Sequence, residues 1–235
     1  MSLKNKSLSI LGTITLSACL LSPAVANAQT SVSESATDDR FVKFLETNGV
    51  SEDVQMALQD KVASGKILDS AKGGKPVSES VREDDGYSIT TATYPDGSIT
   101  VITAQIPTEE PEGTIVPFGT IFTGCSATGG SGWATYKGCN VQGDNGQAFL
   151  KFQVDYEKYS GAYAQILRSY NAKAGSSIGW KATGAVRDGW KPKSSIGNKA
   201  HARYHTEMSA VTGQGSYDFY TGFYLDYKGN WSVVL

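Results

Sequence analysis

Two runs in the second half of the chain alternate apolar and polar side chains with a strict period of two, and that pattern limits what the chain can fold into. AFLKFQVDY puts Leu150, Phe152, Val154 and Tyr156 on one face and Lys151, Gln153 and Asp155 on the other. YDFYTGFYLDY puts Tyr217, Phe219, Phe223, Leu225 and Tyr227 on one face, with Asp218, Tyr220, Tyr224 and Asp226 opposite. One face suits a core and the other suits water, as in antiparallel sheet. All four tryptophans and ten of the twelve tyrosines fall after Gly113, where turn residues separate seven or eight short runs of this kind. Asp144-Asn145-Gly146 is a hairpin signal that joins AFLKFQVDY to the strand carrying Cys139. YSGAYAQILRSY also fits a helical stripe through Tyr159, Tyr163, Leu167 and Tyr170, but its neighbours and glycines favour strand. So many short strands are expected to form two packed sheets. The fold class expected is mainly β, an antiparallel β-sandwich-like C-terminal domain with a small N-terminal helical hairpin.

The N-terminus reads as an export signal. Lys4 and Lys6 precede an apolar run from Leu8 to Leu21, which is too short for a membrane span, and Ala26-Asn27-Ala28 fits a signal-peptidase site. Residues 1–28 are therefore expected to be a signal peptide and the protein to be secreted. Leu16-Ser17-Ala18-Cys19 also fits a lipobox, so the alternative is a lipid anchor at the cell surface through Cys19. Residues 20–26 stay apolar where a tether would turn polar, which favours the later cut. Losing the two signal lysines takes the net charge from -2 to -4, a balance that gives no general attraction to nucleic acid. No later apolar run reaches the roughly 18 residues of a span, so no stable membrane insertion is expected. Cys125 and Cys139 remain as an even pair in an oxidising compartment, and a disulfide between them is expected. Closing a loop of about 15 residues is worth roughly 3 kcal/mol in the chain-entropy model.

Along the chain, residues 29–37 read as a flexible leader and 38–68 as a helical segment. Phe41, Phe44 and Leu45 share one face of a first helix that Asn48-Gly49 ends. Ser51 caps a second helix carrying Val54, Leu58 and Val62, which Gly65 stops. Helices this short must lean on the main domain or on a partner. Residues 69–86 are polar and read as a linker, 87–106 as a β-hairpin around Pro95-Asp96-Gly97, 107–112 as an acidic spacer, and 113–235 as the β-rich domain. Taken in order, NGVSEDVQMALQDKVASGKILDS, YPDGS, GCSATGGSGWATYKGCNV and HARYH resemble a group of secreted proteins from Gram-positive actinobacteria. That resemblance implies secretion, the disulfide and a β-rich C-terminal domain, and it brings no activity and no functional residue.

Three constellations are candidates for chemistry. HARYHTE, as a strand, aligns His201, Arg203, His205 and Glu207 on one face and Ala202, Tyr204, Thr206 and Met208 on the other. The two histidines then stand roughly 13 Å apart, too far to share a metal. GSSIG, residues 175–179, has the Gly-x-Ser-x-Gly form with Ser177 as nucleophile, but its flanks lack the strand and helix of a nucleophile elbow, and SSIG recurs at 194–197 as a turn would. The aromatic surplus is the third: Trp133 and Tyr136 within the disulfide loop, and Tyr220 and Tyr224 on an outer strand face, are the expected ligand-binding residues. No cofactor or metal motif is present, so no catalytic residue, metal or cofactor is expected. The sequence thus favours a secreted, non-catalytic binding or interaction protein for an extracellular or cell-envelope glycan or protein. The alternatives are a secreted hydrolase using His201, His205 and Glu207, or a secreted antagonistic toxin or inhibitor. Oligomeric state is not encoded in any pattern found.

Overall fold

The computed structural model describes residues 38–109, 125–177, 179–213 and 215–235. The expected signal peptide, Cys19, the leader and most of the acidic spacer lie outside them. Two helices come first, α1 (Asp38–Thr47) and α2 (Glu52–Ala63), then a single 3-10 turn (Asp69–Ala71). Thirteen strands follow among the described residues. They are β1 (Ser78–Asp84), β2 (Tyr87–Thr93), β3 (Ile99–Gln105), β4 (Thr108–Glu109), β5 (Ser126–Gly130), β6 (Trp133–Asp144) and β7 (Ala148–Tyr159), continuing through β8 (Tyr163–Ser176), β9 (Trp180–Ala182), β10 (Val186–Lys191), β11 (Ala200–Ala210), β12 (Ser216–Leu225) and β13 (Trp231–Val234).

The mainly β, antiparallel architecture is present, built from an eight-stranded and a five-stranded sheet. In the larger sheet β6 and β7 are central. One edge of β6 pairs β7, with β8 beyond it; the other edge pairs β3 along residues 141–144 and β5 along 133–137. β2 and β1 extend the sheet outward from β3, and β4 runs parallel beside β5. In the smaller sheet β11 pairs β10 and β9 along one edge and β12 on the other, followed by β13.

The two sheets pack through the faces the alternation assigns to the core. Leu150, Phe152 and Val154 of β7 are buried, as are Ala202, Met208, Phe219, Phe223 and Leu225 of the smaller sheet. The rings of Phe152 and Tyr204 meet across the interface at 4.7 Å between centroids, and those of Tyr156 and Phe223 at 5.2 Å. Each such side chain contributes about 1.5–3 kcal/mol by leaving water. Cys125 and Cys139 form the expected disulfide, both buried, tying the start of β5 to β6.

The helices lean on this body. Phe41 and Leu45 of α1 and Leu58 and Val62 of α2 belong to the same buried core as Leu150 and Trp180. Gly146 permits the docking: its φ of 81° suits the β6–β7 turn, and a Cβ there would come within 2.7 Å of the Phe41 ring. Arg40 donates to the Gly146 carbonyl at 2.7 Å and pairs with Asp144 at 2.6 Å. Ser51 stands at the start of α2 in an extended conformation, but its side chain makes no capping hydrogen bond, so the expected cap is positional only.

Two boundaries differ from the sequence reading. Ser78–Asp84, read as linker, is an edge strand paired residue by residue with β2, and every side chain along it is exposed. An edge strand held by its backbone alone needs no apolar face, so no alternation marks it. The hairpin of β2 and β3 is part of the larger sheet rather than a separate unit, because β3 pairs β6. After Gly113 there are nine described strands where seven or eight were counted.

Candidate functional site

The outer face of the larger sheet carries the most developed surface. β7 runs through it without a bulge, since both register shifts against β8 add residues to β8 and the shift against β6 adds one to β6. Its odd-numbered residues, Lys151 to Tyr159, therefore all point away from the core. Beside Lys151 and Gln153 lies an open groove of about 740 Å³. Its floor is two cross-strand rows, Asn140 and Gln153 in one and Thr103, Gln142, Lys151 and Lys173 in the next. Tyr87, Asp84 and Asp85 form the wall at the β1–β2 turn.

Neighbouring amides in the groove are tied together. Asn140 donates through Nδ2 to Gln105 Oε1 at 2.8 Å, and Asn171 through Nδ2 to Gln153 Oε1 at 2.7 Å. Each pair uses one donor and one acceptor and leaves one amide NH2 and one carbonyl oxygen outside the pair's own bond. Asn171 is placed there by the bulge in β8, where its backbone enters the left-handed region at φ 53°. Among the described residues the only other non-glycine with positive φ is Asp85, at φ 45° in the turn opposite, and both line the groove.

Toward the other end of β7 the same face becomes aromatic. Trp133, Tyr159 and Tyr163 stand directly opposite one another on β6, β7 and β8. The two tyrosine rings are 4.9 Å apart, Lys193 Nζ sits 3.6 Å over the Tyr163 ring, and Trp133 is 45% exposed. Between the two ends Asp155 is buried as an internal fastener. It accepts from the Gly138 backbone N–H at 2.7 Å, from the Tyr170 hydroxyl at 3.0 Å and from Arg168 Nε.

The residues expected from sequence are not brought to one place. Trp133 lies on the aromatic row, while Tyr136 is on the core face, buried and stacked on Tyr156 at 4.5 Å. Three residues from Trp133 along an unshifted stretch of β6, Tyr136 falls on the opposite face by period two, where it borders the smaller cleft near Trp231 and not the groove. Tyr220 and Tyr224 are on the outer face of the smaller sheet, with the histidines. His201, Arg203, His205 and Glu207 share that face as the alternation requires, and Ala202, Tyr204, Thr206 and Met208 are buried behind it. His201 stacks beside Tyr224 at 5.6 Å and His205 beside Tyr220 at 5.7 Å.

Arg203 lies between Gly189 and Gly222, where a Cβ would approach its side chain to 3.1 and 3.3 Å. It is held by both oxygens of Asp188, at 3.1 Å from Nε and 2.9 Å from Nη2. His205 Nδ1 is 3.8 Å from Asp188 Oδ2, beyond hydrogen-bond reach. Neither histidine lines the groove or the smaller clefts near Trp231 and Trp133. Ser177 is buried, with its backbone N–H on the Gln147 carbonyl at 2.9 Å, so it makes part of a turn and is closed to substrate. Among the described residues no three His, Cys, Asp or Glu side chains gather to hold a metal, and no helix is long and apolar enough to cross a membrane.

No family model, curated protein or solved structure matches this chain. The functional reading therefore rests on the geometry of these two faces. Asn140, Gln142, Gln153 and Asn171 were not found from sequence, although the hairpin signal at Asp144-Asn145-Gly146 fixes Asn140 opposite Gln153.

Proposed function

We propose that the protein is a secreted binding protein that holds a glycan of the cell envelope or extracellular surroundings on the outer face of its larger sheet. The observation that carries this reading is the amide-lined groove. Fixed amides offer a donor and an acceptor side by side, which is what vicinal hydroxyls require, and Tyr87 supplies a flat apolar wall. The aromatic row farther along the face supports the same reading, since sugar rings settle on tyrosine and tryptophan. Export is supported by the disulfide and by the signal-like N-terminus.

The test is retention of the purified protein on insoluble cell-wall polysaccharide. Replacing Asn140 and Gln153 together by alanine is expected to lower affinity about tenfold, the effect of losing one or two net hydrogen bonds. Near-UV circular dichroism of the variant checks that the sheet is intact. If only Tyr220→Ala with Tyr224→Ala lowers retention, the site belongs to the smaller sheet. If the wild type is not retained, the glycan reading is wrong.

A further inference from the structure

The groove and the aromatic row are two ends of one track, and the structure holds that track at fixed length. Lys151 and Tyr159 both project outward from the unbulged strand β7, eight residues apart, or about 26 Å at strand rise. Between them Glu157, bonded to Gln165, and the exposed Arg168, anchored on the buried Asp155, continue a polar surface across β7 and β8. A mono- or disaccharide cannot reach from one end to the other, whereas several linked rings can.

The charge on the track selects among such chains. Lys151 and Lys173 are direct cross-strand partners, a like-charge placement that destabilises a sheet when nothing neutralises it. Among the described residues neither lysine has a carboxylate within salt-bridge distance. Arg168 and Lys193 add cations farther along, against the two carboxylates of Asp155 and Glu157. Asp84 and Asp85 stand on the far wall at the β1–β2 turn, where they repel an acidic chain toward β7 and β8. The four cations and four carboxylates along the track balance in number, so the uncompensated positive charge is confined to the Lys151–Lys173 pair, which has no carboxylate within salt-bridge distance among the described residues.

Building on the glycan reading above, we infer that the ligand is a linear acidic polysaccharide lying along β7, with its sugar rings on Trp133, Tyr159 and Tyr163 and a carboxylate- or phosphate-bearing unit between Lys151 and Lys173. The amides of the groove hold its hydroxyls, and the fixed separation of the two ends measures chain length.

The test follows the intrinsic fluorescence of the four tryptophans, Trp133 among them, while a hexamer of galacturonic acid, its dimer, and a neutral glucan hexamer are titrated into the full mature chain. The acidic hexamer is expected to bind at least about tenfold tighter than the dimer, because the second contact is made within one complex. It is also expected to bind more tightly than the neutral hexamer and to weaken as salt is raised. Trp133→Ala removes the advantage of hexamer over dimer, read by calorimetry in that variant, and Lys151→Gln with Lys173→Gln removes the advantage of acidic over neutral. Both substitutions are at exposed positions, and the double lysine change removes the charges while keeping polar side chains one atom shorter. Equal affinity for dimer and hexamer, or for acidic and neutral hexamers, overturns this inference and leaves the glycan reading standing. Absence of binding to all three probes, together with no retention on cell-wall polysaccharide, overturns both.

Discussion

Asn171 illustrates how a single residue joins backbone strain to the lining of the groove. Its left-handed backbone costs about 1 kcal/mol or somewhat less for asparagine, and its side chain repays part of this through the bond to Gln153 at 2.7 Å. Glycine adopts the same backbone freely but presents no amide to the groove. Asn171→Gly is therefore expected to leave the urea midpoint unchanged or raise stability by about 0.5–1 kcal/mol, while glycan affinity falls. Asn171→Ala should lower both, since alanine keeps the strain and loses the amide. A drop in stability for the glycine variant would mean that the Gln153 bond outweighs the backbone strain. The contrast with Arg203 is instructive at the same scale. That guanidinium is held by Asp188 through one hydrogen bond and one ion pair, whereas among the described residues neither Lys151 nor Lys173 has a carboxylate within salt-bridge distance.

At the level of elements, the docking of α1 depends on the Arg40–Asp144 pair and on the rings seated over Gly146. Burial pushes the Asp144 carboxyl above the ordinary range, even with Arg40 and the Gly146 N–H drawing it back down. Arg40→Ala leaves that carboxyl buried without its cation and is expected to cost about 3 kcal/mol in urea denaturation. Adding Asp144→Asn should return much of this, and failure to do so would assign the loss to the contact of Arg40 with Phe149 instead. Elements also show what could be read in advance. The strands β7, β11 and β12 were legible because one side of each is core and the other is wet, and period two makes that visible. β1 was not, although Asp85-Gly86 carries the two positive φ values of a tight hairpin turn, because an exposed edge strand has no apolar face to betray it. The groove was only half legible. The turn at 145–147 sets Asn140 against Gln153, but the bulge that brings Asn171 beside Gln153 depends on a local backbone conformation that no periodicity records. The facing of Tyr136 was legible, since period two from Trp133 through an unshifted register places the two residues on opposite faces of β6.

For the molecule as a whole, the polar junction around Asp96 decides how helices and sheet hold together in acid. Asp96 lies in the turn between β2 and β3, where it accepts from Lys61 of α2 at 2.6 Å, from the Asp69 backbone N–H at 3.0 Å and from the Ser98 backbone and hydroxyl. Burial raises its pKa, but the Lys61 ammonium and these hydrogen bonds outweigh burial and hold it down to about 2, against an ordinary 3.8. Asp69 is also lowered, chiefly by Lys72. A carboxylate with a depressed folded pKa stabilises fully above its unfolded value, and that stabilisation disappears as the pH falls through the folded one. Stability should therefore be level down to about pH 4 and fall steeply toward pH 2. Lys61 is shifted upward from 10.5 despite burial, so the ammonium is lost only at more alkaline pH and does not affect this window. Asp96→Asn is expected to be less stable at pH 6 and to lose less between pH 4 and 2 than the wild type, measured as the urea midpoint at each pH. The turn that reads in the sequence as a simple Pro-Asp-Gly reversal is then the point where α2, the 3-10 turn and the larger sheet share one carboxylate. If Asp96→Asn kept the wild-type slope in acid, the carboxylates of Asp69 or Asp226, also depressed, would have to carry it.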